Sequence, residues 1–359
     1  MQTDYLIIGQ GLAGSMLAWA LLQRGCRVMV VDQGGENASS IAAGIINPVT
    51  GLRFVANDNI GVLLPAAHKL YANLSQHFNK TLYHPMPMMR LFQNATELKH
   101  YQKRQRQSEY LPYFSTCDET FDKVKDWHAP FGYVEQQHTG YLATKTLLDC
   151  LHTDFQKRKI CIKADFDYQL ALTPTSVTWQ GITARRIIFC EGYRSIFNPW
   201  FSWLPMQPAK GEILTVQRSS IDASFIYNFG NWLLPIEERR FRLGATFDVD
   251  TIDTVPTEAG KQQLLTSFAR FYRADNLNDA IIDHQANIRP CTQDKQPILG
   301  AHPEIANMFI FNGFGAKGSL QIPWHAEHFV DFLLTHSPLQ SACGIHRTLP
   351  THFARQTGA

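Results

Sequence analysis

The chain has no apolar run approaching the roughly 18 to 20 residues that a membrane-spanning helix needs. Its apolar N-terminal stretch is interrupted by Gln10, Gly11, Gly14 and Ser15. No positively charged leader precedes that stretch, which reads as structure and not as a signal peptide, so a cytoplasmic protein is expected. Net charge is also nearly missing: 33 Lys and Arg against 31 Asp and Glu leave +2, which gives no global reason to expect nucleic acid or an anionic membrane as the main partner. There is no C-x-x-C pair. The seven cysteines (Cys26, Cys117, Cys150, Cys161, Cys190, Cys291 and Cys343) are scattered and odd in number, which argues against a disulfide framework and a structural zinc site; no metal is expected. No internal repeat or low-complexity tract is visible. What is present is bulk: 359 residues, 45% of them hydrophobic, enough for a large core and for two intertwined domains.

The strongest local signal lies in the first thirty residues. Tyr5-Leu-Ile-Ile reads as a buried strand, Gly9-Gln-Gly11-Leu12-Ala13-Gly14 as a tight turn, and Met16 to Leu21 as an apolar helix that Gly25 ends. Val28-Met-Val-Val31 supplies a second strand, closed by Asp32 and followed by Gln33. Order and spacing are those of a dinucleotide-binding βαβ unit. Gly9 permits the turn, Gly11 lets backbone approach a pyrophosphate, Gly14 lets helix pack on strand, and the helix N-terminus offers N–H groups to phosphate. Asp32 would accept from a ribose diol. This region alone does not choose between NAD and FAD.

Beyond it, Ala38 to Gly51 is small and flexible enough for backbone to pass close to a ligand, with Ala43, Gly44 and Ile45 at its centre. Residues 65 to about 113 read as mainly helical and contain a basic run, Lys99, His100, Lys103, Arg104 and Arg106, which on a helix is usually a solvated face. Strands return near Lys159, and Arg186-Ile-Ile-Phe-Cys190 leads to Glu191-Gly192 as a further parallel strand of the nucleotide-binding sheet. Segments 211–216, 232–235 and 241–246 read as antiparallel strands of a separate substrate domain, followed by a helix from about Thr257 to Tyr272. Met308 to Phe311 is a strand, Asn312 to Gly318 a glycine-rich turn, and Ser319 onward a helix whose N-terminus suits partial negative charge.

The Gly9 to Gly14 fingerprint, Ser40-Ile-Ala-Ala-Gly44-Ile, Pro208-Ala-Lys-Gly-Glu-Ile213, Leu234-Pro235 with Gly244-Ala-Thr246, Ile288-Arg-Pro-Cys-Thr-Gln-Asp-Lys-Gln-Pro-Ile-Leu-Gly300 and Asn312 to Pro323 together resemble the D-amino acid oxidase superfamily of flavoproteins, glycine oxidases in particular. The block from Arg289-Pro290 to Gly300 is the most diagnostic. The resemblance implies an α/β fold, with a Rossmann-like FAD-binding domain (1–80, 141–204 and 286–359) intertwined with an α+β substrate domain built on an antiparallel sheet (81–140 and 205–285).

The same resemblance implies non-covalent FAD, because Cys291 does not occupy the place of the cysteine that tethers flavin in sarcosine oxidases. The flavin contacts it implies are Gly9, Gly11, Leu12, Ala13, Gly14, Asp32, Gln33, Ala43, Gly44, Ile45, Gly192, Arg289, Gly313, Gly315, Ala316, Lys317 and Gly318. Arg289 would grip the substrate carboxylate, its alternative being a salt bridge to Asp294; Lys317 and Trp232 complete the catalytic expectation. Glycine oxidase has a tyrosine where this chain has Trp232 and an arginine where it has Ala316, a departure from a small, doubly clamped substrate. The implied reaction is oxidation of the Cα–N bond of an amino acid or N-substituted glycine by hydride transfer to flavin N5. The substrate would be a small amine or amino acid bearing a carboxylate. Two alternatives stay open: flavin-dependent removal of a carboxymethyl group from a modified tRNA uridine, with the basic run near Arg104 binding RNA, and a non-catalytic flavin-binding protein.

Overall fold

The computed structural model describes residues 1–57, 59–115, 127–237, 239–273 and 280–349. Its contacts divide the chain into two units, Met1–Ala42 with Thr144–Ala209 and Ile288–Ala359, and Ala43–Ala143 with Lys210–Asn287.

The first unit is built on a largely parallel sheet. Gln2–Ile8 lies between Val28–Asp32 and Ile182–Phe189, with Cys161–Lys163 beyond the former and Met308–Asn312 beyond the latter, all parallel. Leu6, Ile7, Val30, Val31, Ile187 and Ile188 are completely buried, as expected of strands covered on both faces. Helices Leu12–Gln23 and Gly318–Thr335 pack on one another. Leu12–Gln23 is apolar nearly all round, which suits a helix covered on every side.

The second unit holds a seven-stranded sheet. From one edge it runs Ile281–Arg289, Ala209–Gln217, Arg240–Gly244, Trp232–Glu237, Ile226–Asn228, Met88–Leu91 and Tyr133–Gln136. One face buries Leu214, Leu233, Phe241 and Leu243 against Leu264, Leu265 and Phe268 of helix Glu258–Ala269. On the other face Met88, Ile226 and Leu234 form a smaller apolar cluster. A three-stranded sheet, Ile45–Ile46, Gly140–Leu142 and Tyr83–Pro85, belongs to the same unit.

The fold class is the expected one, and several local readings are refined. Residues 65–113 are mainly helical as expected, in Ile60–Phe78, Ala95–Arg104 and Ser108–Tyr113, but two short strands, Tyr83–Pro85 and Met88–Leu91, lie between the first two helices. Met88 to Leu91 carries no alternating pattern because it is an interior strand buried on both faces. Among the strands that return near Lys159, the one before Val177–Trp179 is only the two residues Ala171–Leu172. The chain divides after Ala42 and not after residue 80, since Ile45–Ile46 and Tyr83–Pro85 both hydrogen-bond to Gly140–Leu142. Segment 38–51 opens with the short helix Ala38–Ile41, which Asn37 caps in a capping box with Ser40.

Candidate functional site

In the first unit the turn after Gln2–Ile8 is set by contact as much as by conformation. Gly9 has φ +100°, and a Cβ there would stand 2.5 Å from the Cys190 carbonyl oxygen. A Cβ on Gly14 would fall 1.9 Å from the Gly9 oxygen, so helix and turn close on each other only without side chains. Gly11 differs, since the nearest atom to a Cβ there is the Ser39 hydroxyl at 3.4 Å. A Cβ there would make one ordinary contact and no clash, so no protein atom requires glycine at this position.

The helix then starts at Leu12, whose N–H donates to Ser39 Oγ at 3.0 Å; the other first-turn N–H groups have no carbonyl inside the helix to receive them. Asp32 accepts from Gln10 N through Oδ2 and from Gly34 N through Oδ1, both at 2.7 Å. It thus braces the turn from the end of its own strand, a role the sequence reading did not give it. Gln33 is exposed and accepts from Arg194. Gly192, at φ +62°, lies past the strand end in the turn of helix Gly192–Phe197, and its carbonyl accepts from Asn312 Nδ2 at 2.8 Å. Beside it Glu191 accepts from Tyr168 Oη at 2.7 Å and Asn198 Nδ2 at 2.8 Å. Burial raises its pKa, with Asn198, Tyr168 and Arg194 opposing.

The Arg289 segment and the second glycine turn are one assembly. Gly315 N donates to the Pro290 carbonyl at 3.1 Å, and a Cβ on Gly313 would meet Thr292 Cγ2 at 2.9 Å. Cys291 N turns back on the Arg289 carbonyl at 2.9 Å. Arg289, the last residue of strand Ile281–Arg289, is half-buried; burial depresses its pKa and the Cys291 thiol acts the other way. Asp294, the acidic neighbour that could have claimed Arg289, is gripped by Arg347 at 2.8 and 3.3 Å. Lys317 occupies the N-cap of Gly318–Thr335. Its surface is exposed, yet the surrounding protein, and then the like charge of Lys295, lower its pKa. Ala316 is exposed beside it. A Cβ on Gly318 would lie 3.8 Å from Leu12 Cδ2, so the starts of the two helices meet.

In the second unit Ala43, Ile45, Met86, Tyr141 and Trp232 pack around Met88, Ile226 and Leu234. Gly44 is a glycine because a Cβ would strike the Leu142 carbonyl oxygen at 2.0 Å. Trp232 stands directly across from Gly244, where a Cβ would be 2.5 Å from its indole. Sequence reasoning gave no role to Ser39 or Arg194, nor, in the second unit, to the stacked pair His84 and Tyr141, whose centroids are 4.7 Å apart. Only tertiary approach brings Ser39 to the N–H of Leu12 and Arg194 to Gln33. Among the described residues no group of three His, Cys, Asp or Glu is arranged to hold a metal, and no helix is long and apolar enough to cross a membrane.

The family model described as FAD dependent oxidoreductase matches residues 4–332. The bifunctional protein MnmC of tRNA 5-methylaminomethyl-2-thiouridine biosynthesis from Marinobacter nauticus is 23% identical over 91% of this chain and 54% of its own length. The chain thus spans about half the length of the first curated relatives it matches. Among solved structures, glycine oxidase from Geobacillus kaustophilus superposes with a TM-score of 0.80 at 19% identity, covering 94% of this chain and 96% of its own. Iminodiacetate oxidase from a Chelativorans species does so with a TM-score of 0.75 at 19% identity, covering 95% and 99%.

Proposed function

This chain belongs to the family of FAD dependent oxidoreductases, and from that premise we propose that it oxidises the Cα–N bond of an N-substituted glycine, an amine bearing a carboxymethyl group. The cofactor is FAD, held non-covalently in this reading. The residues fit such a group: two helix N-termini meet at Leu12 and Gly318, and Gly11 leaves a cradle that a Cβ would fill. When bound, FAD supplies the acceptor for the two electrons of the oxidation.

The observation that carries the reading is the state of Arg289. Its guanidinium is half-buried, and its segment is pinned to the glycine turn through Pro290 and Gly315. A planar guanidinium takes a carboxylate through two parallel charge-assisted bonds and fixes its orientation. Arg289 therefore binds the substrate carboxylate and orients the adjacent Cα–H. The N-terminus of helix Gly318–Thr335, with Lys317 at its N-cap, steadies negative charge. Oxidation leaves an imine, which water hydrolyses, and no side-chain base is required.

The test is an anaerobic absorbance spectrum of the holoprotein with glycine, sarcosine, D-amino acids, proline and larger N-carboxymethyl amines. Bleaching by the N-substituted glycines is expected; a flavin that photoreduces normally but is bleached by none of them removes the reading.

A second reading, removal of a carboxymethyl group from a modified tRNA uridine, draws support from the MnmC relatives. The basic run also lies at the surface: Lys99 and Lys103 are exposed on helix Ala95–Arg104, with Arg106 exposed just beyond. It concerns the same bond with a larger amine, and it predicts tRNA binding that weakens steeply with salt.

A further inference from the structure

In the first unit the parallel strands all end at one edge of the sheet, which brings residues from distant parts of the chain together. Val28–Asp32 and Ile182–Phe189 flank Gln2–Ile8. The chain runs from Gln2–Ile8 to Val28–Asp32 on one side, and Ile182–Phe189 lies on the other. The glycine turn therefore stands where the strand order switches, the place where an open α/β sheet takes its ligand. Gln33 follows the first flanking strand, and Arg194 follows the second, within helix Gly192–Phe197. Those strand ends are two strand spacings apart, about 10 Å, yet Arg194 Nη1 donates to Gln33 Oε1. The contact thus crosses the end of Gln2–Ile8, beside the glycine turn. A Cβ on Gly192 would meet nothing within 4 Å, and one on Gly11 only the Ser39 hydroxyl at 3.4 Å.

We propose that Arg194 is a cofactor-binding residue of this chain that takes the pyrophosphate of FAD, and that Gln33 is the residue that positions it. The glycine turn and the N-terminus of helix Leu12–Gln23 favour a pyrophosphate at this edge. The helix end supplies a partial positive charge; Arg194 adds a full one. Gln33 takes one guanidinium N–H through a neutral oxygen, which fixes the direction of the group and leaves its charge intact. The remaining donors suit two phosphate oxygens. The two carboxylates of the same edge are engaged by other donors. Asp32 accepts from Gln10 N and Gly34 N, both at 2.7 Å. Glu191 accepts from the neutral donors Tyr168 Oη at 2.7 Å and Asn198 Nδ2 at 2.8 Å. Burial disfavours its charged form, with Arg194 the weakest of the groups acting the other way, so Glu191 leaves the guanidinium to a phosphate. The assignment holds whichever amine the flavin oxidises.

The experiment titrates the whole chain, stripped of flavin, with FAD at low and at high salt and follows the quenching of flavin fluorescence. Arg194→Met should weaken FAD by about tenfold at low salt, as the loss of a charge-assisted hydrogen bond does, and should flatten the salt dependence seen in the wild type. Arg194→Lys keeps the charge without the fork and should restore part of the affinity. Gln33→Ala should weaken FAD less than Arg194→Met and keep the wild-type salt dependence. An unchanged affinity in Arg194→Met, or a weaker one with the wild-type salt dependence, overturns the proposal. Competition against FAD by ADP and by adenosine separates phosphate from base. Arg194→Met should weaken ADP alone; an equal loss for adenosine would mean that the guanidinium stacks on the adenine, and refutes the pyrophosphate assignment. Arg194 is exposed, so Arg194→Met without FAD should melt like the wild type; should it not fold, Arg194→Gln carries the same comparisons.

Discussion

At the scale of single residues, Gly11 and Gly14 occupy one motif but are glycines for different reasons, and substitution separates them. Gly14→Ala pushes a methyl to 1.9 Å from backbone oxygen, so it should unfold the turn and lower Tm whether or not FAD is supplied. Gly11→Ala meets the Ser39 hydroxyl alone, at 3.4 Å and at an ordinary φ of −70°. The apoprotein should melt like the wild type while its FAD affinity falls, a difference readable by fluorescence titration. If both variants lose stability equally, Gly11 is packed against protein and the cradle is not a ligand site. Arg289→Met should cost about 2 to 5 kcal/mol of productive carboxylate binding, seen in the concentration dependence of anaerobic flavin bleaching; intact turnover would remove Arg289 from that role.

At the scale of elements, two buried carboxylates act as latches. Glu212 on strand Ala209–Gln217 accepts from both the N–H and the hydroxyl of Thr257, each at 2.8 Å, and Thr257 caps helix Glu258–Ala269. Glu212→Ala strands both donors at the helix start and should destabilise by about 2 to 4 kcal/mol in urea unfolding. Arg90 and Glu97, 5% and 1% exposed and 2.6 Å apart, join strand Met88–Leu91 to helix Ala95–Arg104. Arg90→Met should be more damaging than the double change with Glu97→Gln, because it leaves a buried charge unpaired. These latches were not legible in the sequence: Glu212 reads as one polar residue in a strand, and its partner lies 45 positions away. The strands around Gly9 and Asp32, by contrast, were legible, because parallel strands buried on both faces are continuous apolar runs with glycine punctuation.

At the scale of the whole molecule, stability should depend on acid through His325. Burial, and then His328, push its pKa down to about 3, and Cys343 Sγ stands 3.9 Å from its Nε2. The folded state keeps the imidazole neutral while the unfolded chain protonates it near the ordinary value of about 6.5. The unfolded state thus binds more protons between those values, and stability is present above about pH 6.5 and lost as pH falls toward 3, by at most roughly 1.4 kcal/mol per pH unit. Melting between pH 7 and pH 5 should show a slope that shrinks in His325→Gln; an unchanged slope would assign the acid sensitivity elsewhere. FAD binds the folded chain alone, so stripping it should lower Tm, and FAD at 100 times its Kd should restore about 2.7 kcal/mol.

The sequence by itself determined the class of cofactor and the fold around it, because close glycines, a strand-end acid and apolar strands are local features whose spacing encodes the contact they must make. It also singled out Arg289, whose Pro, Thr, Asp, Pro and Gly neighbours form a contiguous block. Only the tertiary structure decided which partner each charge takes: Asp294 goes to Arg347, Asp32 braces Gln10, and Arg242 joins the face of Trp232. Those outcomes depend on strand register, where a shift of one residue moves every side chain to the opposite face, and register is set by pairing between segments far apart in the chain.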